Sequence, residues 1–173
     1  MRRVLVIGIS GAGKSTFARE LARRTGLPLI HLDKEFWRPG WTTTPPPEWR
    51  AKVEALAARD TWIMDGNYGG TLDLRLPRAD TVLWFDYPRL RCLQQIAWRI
   101  ATTYGRVRSD LAPGCPEQID WQFLRFVWNF PAKSRPTIVT ALGQHMPASA
   151  ALIVFRRRGD VKRYLAGLGQ ADP

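Results

Sequence analysis

The segment GISGAGKST, residues 8–16, has the residue types and the spacing that can surround a chain of phosphates. Its glycines let consecutive backbone N–H groups turn towards anionic oxygens, and a helix beginning near Lys14 adds its positive N-terminal end. In such a loop Lys14 reaches the β- and γ-phosphates of a nucleotide and the Ser15 hydroxyl binds Mg²⁺. The predicted nucleotide-binding residues are Gly8, Ser10, Gly11, Ala12, Gly13, Lys14, Ser15 and Thr16.

Asp33 is the candidate for a general base, because an acceptor hydroxyl must lose its proton during phosphoryl transfer. Phe36 and Trp37 follow it and predict an acceptor with an apolar or ring face. Lys34 and Arg38 favour an acceptor that also carries a phosphate. The alternative is that Asp33 only caps the following turn, as Asp often does.

Two further carboxylates follow apolar segments, in WIMDG and LWFDYP. We expect Asp65 to bind Mg²⁺ through water, with capping of the next turn as the alternative. Asp86 precedes Tyr-Pro and a helical pattern, so a role as N-cap is favoured over catalysis. His31 is expected to be a packed strand residue and not a ligand.

The elements that must position these side chains alternate along the chain. Five short apolar segments are separated by helical patterns, and they are residues 4–7, 28–32, 62–64, 81–85 and 151–155. This alternation predicts an α/β protein, a five-stranded parallel sheet with helices on both faces. Ligands of such sheets bind beyond the carboxyl ends of the strands, where the candidate residues fall.

The helical patterns cover residues 14–24, 88–104, 117–129, 133–142 and 160–168. A further helix is expected to begin within TTTPPPEW, with Trp49, Val53 and Leu56 as its apolar stripe. Between the helical patterns, the polar and turn-rich residues 105–117 predict a mobile closing lid. Arg106 and Arg108 are its candidate catalytic residues, because lid arginines stabilise the charge on a transferring phosphoryl group. A solvated surface loop is the alternative. Residues 34–60 are the expected acceptor-binding insertion.

Composition narrows the class of protein. The chain has 173 residues and a net charge of +11, from 26 Lys and Arg against 15 Asp and Glu. This charge favours a cleft for two phosphorylated ligands. Solvated basic faces are the second explanation, and a nucleic-acid partner is the least favoured. No segment approaches the length of a membrane span, so we expect no membrane association. The two cysteines are not a CxxC pair, and we therefore expect a cytoplasmic protein. The MRRVLVIGIS start is too short in its apolar part for an export signal.

Several segments resemble known families. The phosphate loop, WIMDG and LWFDYP together are similar to the adenylate kinase group of small kinases. The segments HLDKEFWRPGW, MDGNYGGTLDLRL and APGCPE with the following WNF resemble the bacterial DNA topology modulation protein FlaR family, up to about residue 145. The resemblance implies a P-loop NTPase domain with an adenylate-kinase-like fold over residues 1–173, which binds ATP and Mg²⁺. The family name refers to an effect on DNA topology and establishes neither a direct DNA partner nor an acceptor.

The chain departs from true adenylate kinases where AMP would bind. That group has the pattern Asp-Gly-[Phe/Tyr]-Pro-Arg, but residues 65–69 of this chain contain neither its proline nor its arginine. Arg75 is the candidate to supply the lost charge. The predicted acceptor-binding residues are Asp33, Phe36, Trp37, Arg38 and Arg75. The sequence therefore predicts a Mg·ATP-dependent kinase for a nucleotide or another small molecule, with transfer to a hydroxyl favoured. A nucleotide-gated DNA-binding protein is the alternative, and a GTPase switch is disfavoured because an Asn-Lys-x-Asp segment is absent.

Overall fold

The computed structural model describes residues 1–168, in which seven strands and seven α-helices are defined. The strands are β1 (Arg3–Gly8), β2 (Leu29–His31), β3 (Trp37–Arg38), β4 (Thr42–Thr43), β5 (Trp62–Asp65), β6 (Thr81–Phe85) and β7 (Ala151–Phe155). The helices are α1 (Lys14–Thr25), α2 (Leu32–Phe36), α3 (Pro46–Ala57), α4 (Leu72–Arg75), α5 (Arg89–Thr103), α6 (Trp121–His145) and α7 (Arg158–Gly167).

A five-stranded parallel sheet in the order β2-β5-β1-β6-β7 forms the centre of the fold. This confirms the predicted fold class. The register places His31 and Val6 beside Asp65, and Gly8 beside Phe85. The carboxyl ends of four strands therefore meet at one edge, where parallel α/β sheets bind their ligands. The short strands β3 and β4 form a separate antiparallel hairpin.

The core lies on both faces of the sheet, because β1, β5 and β6 carry almost only buried side chains. Phe17 of α1 packs edge-on against Phe85 and Phe155 at ring distances of 5.3 and 5.5 Å. Helix α1 ends at Gly26, whose φ of 70° is the left-handed conformation that commonly closes helices. No helix within residues 1–168 has the length and apolar character needed to cross a membrane.

Two predicted boundaries were wrong. The second strand ends at His31, and Asp33 lies in the first turn of α2 instead of at the strand end. The helices predicted over residues 117–129 and 133–142 are one helix, α6, which continues through Pro131 and Pro136. Both prolines are exposed, while the side chains at one face of α6 stay buried on both sides of them: Val127, Phe130, Ile138 and Leu142. Burial of this continuous face outweighs the local cost of proline.

A buried arginine fixes the turn after β5. Arg75 is 0% exposed, and its guanidinium donates to the carbonyl oxygens of Gly66 (3.0 Å), Tyr68 (3.0 Å) and Thr71 (3.3 Å), and also to that of Asn67. Backbone carbonyls inside a protein require such donors, since water does not reach them. Arg75 therefore determines the course of the chain from Gly66 to Tyr68.

We expect Arg75→Met to lower the free energy of unfolding by about 3 kcal/mol or more, because four carbonyl oxygens lose their charged donor, two of them in buried hydrogen bonds. Urea denaturation followed by circular dichroism measures the change. The matched control is Arg78→Met at an exposed position three residues later, where we expect a change within about 0.5 kcal/mol. Equal effects of the two substitutions would contradict the role assigned to Arg75.

Candidate active site

A cleft of about 1580 Å³ opens at the carboxyl edge of the sheet. Its floor is the predicted phosphate loop. One side, which we call the acidic wall, consists of the lining residues between positions 33 and 69: Asp33, Trp37, Trp41, Thr43, Asp65, Gly66, Asn67, Tyr68 and Gly69. Most of the remaining lining, which we call the helical wall, comes from side chains of α5, of residues 108–118 and of α6.

The phosphate loop has the conformation that its glycines predict. Gly8, Gly11 and Gly13 have φ values of 131°, 84° and 90°, which disfavour any residue with a Cβ. A Cβ on Gly8 would lie 2.2 Å from the carbonyl oxygen of Phe85, so this glycine is also needed for the close approach of β6. Ser10, Gly11, Gly13, Lys14, Ser15 and Thr16 line the cleft, whereas Gly8 and Ala12 lie behind the lining.

Asn67 clamps the start of this loop. Its side-chain oxygen accepts from the backbone N–H of Gly8 at 2.7 Å, and its amide nitrogen donates to the carbonyl of the same residue at 2.5 Å. Both hydrogen bonds cross between the ends of β5 and β1. The turn that Arg75 holds is therefore coupled to the phosphate loop through one side chain.

Lys14 folds back onto its own loop, where its Nζ donates to the carbonyl of Ile9 at 3.0 Å. Burial lowers the pKa of its ammonium below the usual value, and the carboxylates of Asp65 and Asp33 partly offset this effect. Lys14 thus lies within the electrostatic reach of both acids of the acidic wall. An ammonium with one carbonyl partner retains donors for further oxygen ligands.

Asp65 is buried at the end of β5, and its Oδ2 lies 3.0 Å from Nδ1 of His31 on the neighbouring strand. His31 is packed within the strand, as expected, but it also orients the acid. One carboxylate oxygen of Asp65 is thereby committed, while the residue still lines the cleft. Within residues 1–168 there is no cluster of three or more His, Cys, Asp or Glu side chains that could hold a metal alone.

Asp33 lines the cleft from α2 and accepts a hydrogen bond from the Tyr68 hydroxyl, with 2.6 Å between the oxygens. Burial raises the pKa of this carboxyl above its usual value, although the hydrogen bond from Tyr68 acts in the opposite direction. Tyr68 has a φ of 38°, an uncommon conformation for an aromatic residue. The carbonyl contacts of Arg75 hold it there, so the tyrosine is positioned to orient Asp33.

The aromatic residues after Asp33 divide into two groups. Phe36 packs against Trp49 at 5.1 Å and Tyr68 at 4.8 Å and does not line the cleft, so it supports the wall from behind. Trp37 and Trp41 line the cleft with their rings 5.2 Å apart in an edge-to-face arrangement. Both are in or beside the β3–β4 hairpin, and they give the acidic wall its aromatic surface.

Two predicted acceptor ligands are placed elsewhere. Arg38 is exposed and pairs with Glu48 at 2.5 Å, so its guanidinium is directed away from the cleft. Arg75 is enclosed by backbone carbonyls and does not replace the arginine that the adenylate kinase pattern would carry. The fold uses its charge for structure because the turn offers four carbonyl acceptors at its position.

The two predicted lid arginines differ in position. Arg106 is exposed and does not line the cleft. Arg108 lines it, with its guanidinium 3.0 Å from Glu117 and 3.4 Å from Asp110. The contact with Glu117 is an ion pair without good hydrogen-bond alignment. The nearby Arg99 of α5 donates to the other oxygen of Glu117 at 2.9 Å.

Residues 105–117 join the two sides of the cleft. Towards α1, the Arg19 guanidinium donates to the Ser109 hydroxyl at 3.1 Å and lies 4.0 Å from Asp110. Burial alone would raise the pKa of Asp110, but Arg108 and the Ser15 hydroxyl lower it below its usual value. This segment therefore reaches the phosphate loop.

On its other side the same segment is hydrogen-bonded to the β3–β4 hairpin. The indole N–H of Trp41 donates to the carbonyl of Pro116 at 3.2 Å, and the N–H of Gly40 donates to that of Gly114 at 3.0 Å. The Cys115 thiol donates to the carbonyl of Arg38 at 3.3 Å. The predicted lid and the predicted acceptor insertion thus form one connected surface over the cleft.

Sequence reasoning did not single out several of these groups. Asn67 and Tyr68 stand in the Asp-Gly-Asn-Tyr segment, which was noted only as a departure from a family pattern. Asp110 and Glu117 were part of a turn-rich loop. The signal that could have found them is their position: polar residues directly after a buried strand, and acids within an arginine-rich loop.

Comparison with solved structures identifies proteins of the same fold. The chain superposes on the shikimate kinase from Bacteroides thetaiotaomicron with a TM-score of 0.57 and 15% identity, over 96% of this chain and 95% of that one. For the gluconokinase from Sinorhizobium meliloti 1021 the TM-score is 0.56 with 17% identity, over 96% of this chain and 91% of that one. For the shikimate kinase from Acinetobacter baumannii in complex with shikimate it is 0.54 with 18% identity, over 97% and 90%.

No family model and no curated protein matches the chain. The similarity to the solved structures therefore concerns the fold, and at this level of identity it does not assign a substrate. The chain has the fold of the small P-loop kinases.

We expect Tyr68→Phe to raise the pKa of Asp33 further, because the hydrogen bond that favours the charged carboxylate is lost. The titration of the Asp33 carboxyl carbon, followed by ¹³C NMR and assigned through Asp33→Asn, measures this shift. Tyr104→Phe, at a side chain that is 65% exposed, is the matched control and should leave the pKa of Asp33 unchanged. An unchanged Asp33 titration in Tyr68→Phe would contradict the positioning role.

Proposed function

We propose that the protein is a Mg·ATP-dependent kinase that transfers the γ-phosphoryl group to a hydroxyl of a small molecule. The observation that carries this proposal is the Asp33 carboxylate, oriented by Tyr68, in the same cleft as a phosphate loop. The similarity of several segments to the FlaR family is compatible with this activity, and membership of that family is part of the proposal.

The nucleotide would occupy the floor of the cleft. The backbone N–H groups between Ser10 and Thr16 and the N-terminus of α1 suit the phosphate oxygens, and Lys14 would reach the β- and γ-phosphates. Mg²⁺ would be held by the Ser15 hydroxyl and phosphate oxygens, with Asp65 contacting it directly or through water. The metal would neutralise charge on the transferring group. His31 would keep the Asp65 side chain in place.

Asp33 would act on the acceptor. One of its oxygens accepts from Tyr68, which leaves the other to accept the proton of an acceptor hydroxyl as the oxygen attacks phosphorus. Burial raises the pKa of Asp33, which increases its strength as a base once it is ionised. Because the base must be ionised, turnover should fall on the acid side at a pH above the usual range of aspartate.

Charge on the transferring group would be stabilised by Arg99 and Arg108. Both guanidiniums are now held by Glu117, whose side chain is 6% exposed, so their positions are fixed before a nucleotide binds. Preorganised donors avoid reorganisation during the reaction and are therefore effective in phosphoryl transfer. Arg106 is not included, since it lies outside the cleft.

The first test separates nucleotide binding from chemistry. We expect Lys14→Ala to weaken Mg·ATP binding by at least about tenfold. Asp33→Asn should leave ATP affinity within about threefold but lower acceptor-stimulated ADP release by about 100-fold or more, the usual contribution of a general base. Calorimetric titration with ATP and a coupled ADP assay with a panel of nucleosides, nucleotides, sugars and cofactor precursors measure the two effects.

Circular dichroism should show that both variants are folded. Wild-type turnover in folded Lys14→Ala would contradict the assignment of the phosphate loop. Phosphorylation of a nucleoside monophosphate on its phosphate group, with Asp33→Asn still active, would contradict transfer to a hydroxyl. Steeply salt-dependent binding of duplex DNA without any acceptor-stimulated ADP release would favour the nucleotide-gated DNA-binding alternative.

The two lid arginines provide a matched pair of substitutions. We expect Arg108→Ala to lower kcat by about 100-fold or more, because an arginine that stabilises the transferring phosphoryl group contributes at least this factor. Arg106→Ala, two residues away and exposed, should change kcat by less than about threefold. Steady-state kinetics with saturating ATP measure both. A comparable loss in the two variants would show that the segment acts through its folding and not through Arg108.

A further inference from the structure

We infer that the phosphoryl acceptor is an uncharged hydroxyl compound with a flat ring, and that acceptors carrying a carboxylate or a phosphate are disfavoured. This inference rests on the proposed function and names the substrate class of the same cleft. It departs from the interpretation of Lys34 and Arg38 as phosphate ligands. The observations that carry it are the charges of the acidic wall and the positions of the basic side chains around it.

The acidic wall presents carboxylates and no cation to the cleft. Its lining residues include Asp33 and Asp65, while Lys and Arg are absent from the lining between positions 33 and 69. The other polar groups on this wall are the neutral side chains of Thr43, Asn67 and Tyr68. An anionic group beside Asp33 would meet like charge, whereas hydroxyl groups would find acceptors and donors.

The basic side chains in this part of the chain are committed to other partners. Arg38 pairs with Glu48 at 2.5 Å, Lys52 with Glu35 at 2.6 Å and Arg50 with Asp73 at 2.7 Å. Lys34 is exposed and does not line the cleft. The positive charge that could have recognised an acceptor anion is therefore placed on the outer surface of this region.

On the helical wall the lid arginines are balanced by acids. Arg99 and Arg108 share Glu117, and Arg108 also lies 3.4 Å from Asp110. These two cations and two carboxylates compensate one another. Outside the phosphate loop, three further basic side chains line the cleft without a carboxylate within ion-pair distance among residues 1–168: Arg91 of α5, Lys133 of α6 and Arg158 of α7. They are the side chains through which an anion could still bind, and the experiment tests Lys133.

The aromatic surface of the acidic wall comes from Trp37 and Trp41. Their rings meet edge to face at 5.2 Å, and the Trp41 indole is fixed by its hydrogen bond to Pro116. Aromatic faces carry partial negative charge, so they favour apolar rings over anions. A ring packed on these tryptophans would have its hydroxyls beside the Asp33–Tyr68 pair. The wall thus combines stacking with neutral polar recognition.

Binding of matched ligand pairs tests this inference. The full chain with Mg²⁺ and a non-hydrolysable ATP analogue is titrated with nucleosides and their 5′-monophosphates, and with neutral cyclic polyols alongside shikimate and gluconate. We expect at least one neutral compound to bind, and to bind at least tenfold more tightly than its anionic counterpart, in calorimetry and in tryptophan fluorescence. Trp37→Leu should reduce the fluorescence change and weaken binding of that compound at least fivefold.

Added charge provides a second measurement. Thr43→Lys places a cation on the acidic wall and should reduce the preference for the neutral partner at least fivefold, whereas Thr42→Lys, one residue away and outside the lining, should not. Four results would overturn the inference. They are tighter binding of the anionic partner, loss of that anion binding in Lys133→Ala, selective binding of a cationic amine, and no binding of any neutral compound. ADP release stimulated by an anionic acceptor would overturn the inference while supporting the kinase. Binding of a neutral compound without ADP release would support the ligand class of the cleft and refute the kinase.

Discussion

The hydrogen bonds from the Arg75 guanidinium to the carbonyls of Gly66, Asn67 and Tyr68 determine the geometry on which the cleft depends. This turn carries one side chain that clamps the phosphate loop at Gly8 and another that orients Asp33. A single buried group therefore sets the relative position of the loop that would hold the nucleotide and the carboxylate that would act on the acceptor. The uncommon backbone conformation of Tyr68 is maintained by the same contacts.

A second constraint is the balance of charge over the cleft. The chain is strongly basic, but Arg99 of α5 and Arg108 face buried acids, Glu117 and Asp110. Such pairs fix the direction of the guanidiniums, because removing either partner would leave an uncompensated charge in a poorly hydrated place. Residues 105–117 join the phosphate-loop helix to the tryptophan-bearing hairpin. The phosphate loop and the acidic wall are thus physically linked through one segment.

The fold that this chain shares with solved kinases does not determine the chemistry of its cleft. The fold is similar to that of proteins named shikimate kinase and gluconokinase, yet identity stays below 20%. Substrate choice in such folds resides in the side chains that line the cleft. Here these side chains are two carboxylates, a tyrosine and two tryptophans on one wall, and they support a different class of acceptor.

The sequence by itself determined the fold class, the phosphate loop and most element positions. Glycine spacing after a short apolar strand and the alternation of apolar and helical segments are local signals, and they need no tertiary information. The tertiary structure decided the roles of the arginines. Four arginines that the sequence does not distinguish have four different environments. Arg38 pairs with Glu48 on the surface, and Arg75 is enclosed by backbone carbonyls. Arg106 is exposed, and Arg108 faces the cleft. The tertiary structure also decided that α6 continues through two prolines, since its buried face extends across both. Long-range packing and the location of acceptors for each guanidinium settle such questions, and neither is encoded in the spacing of neighbouring residues.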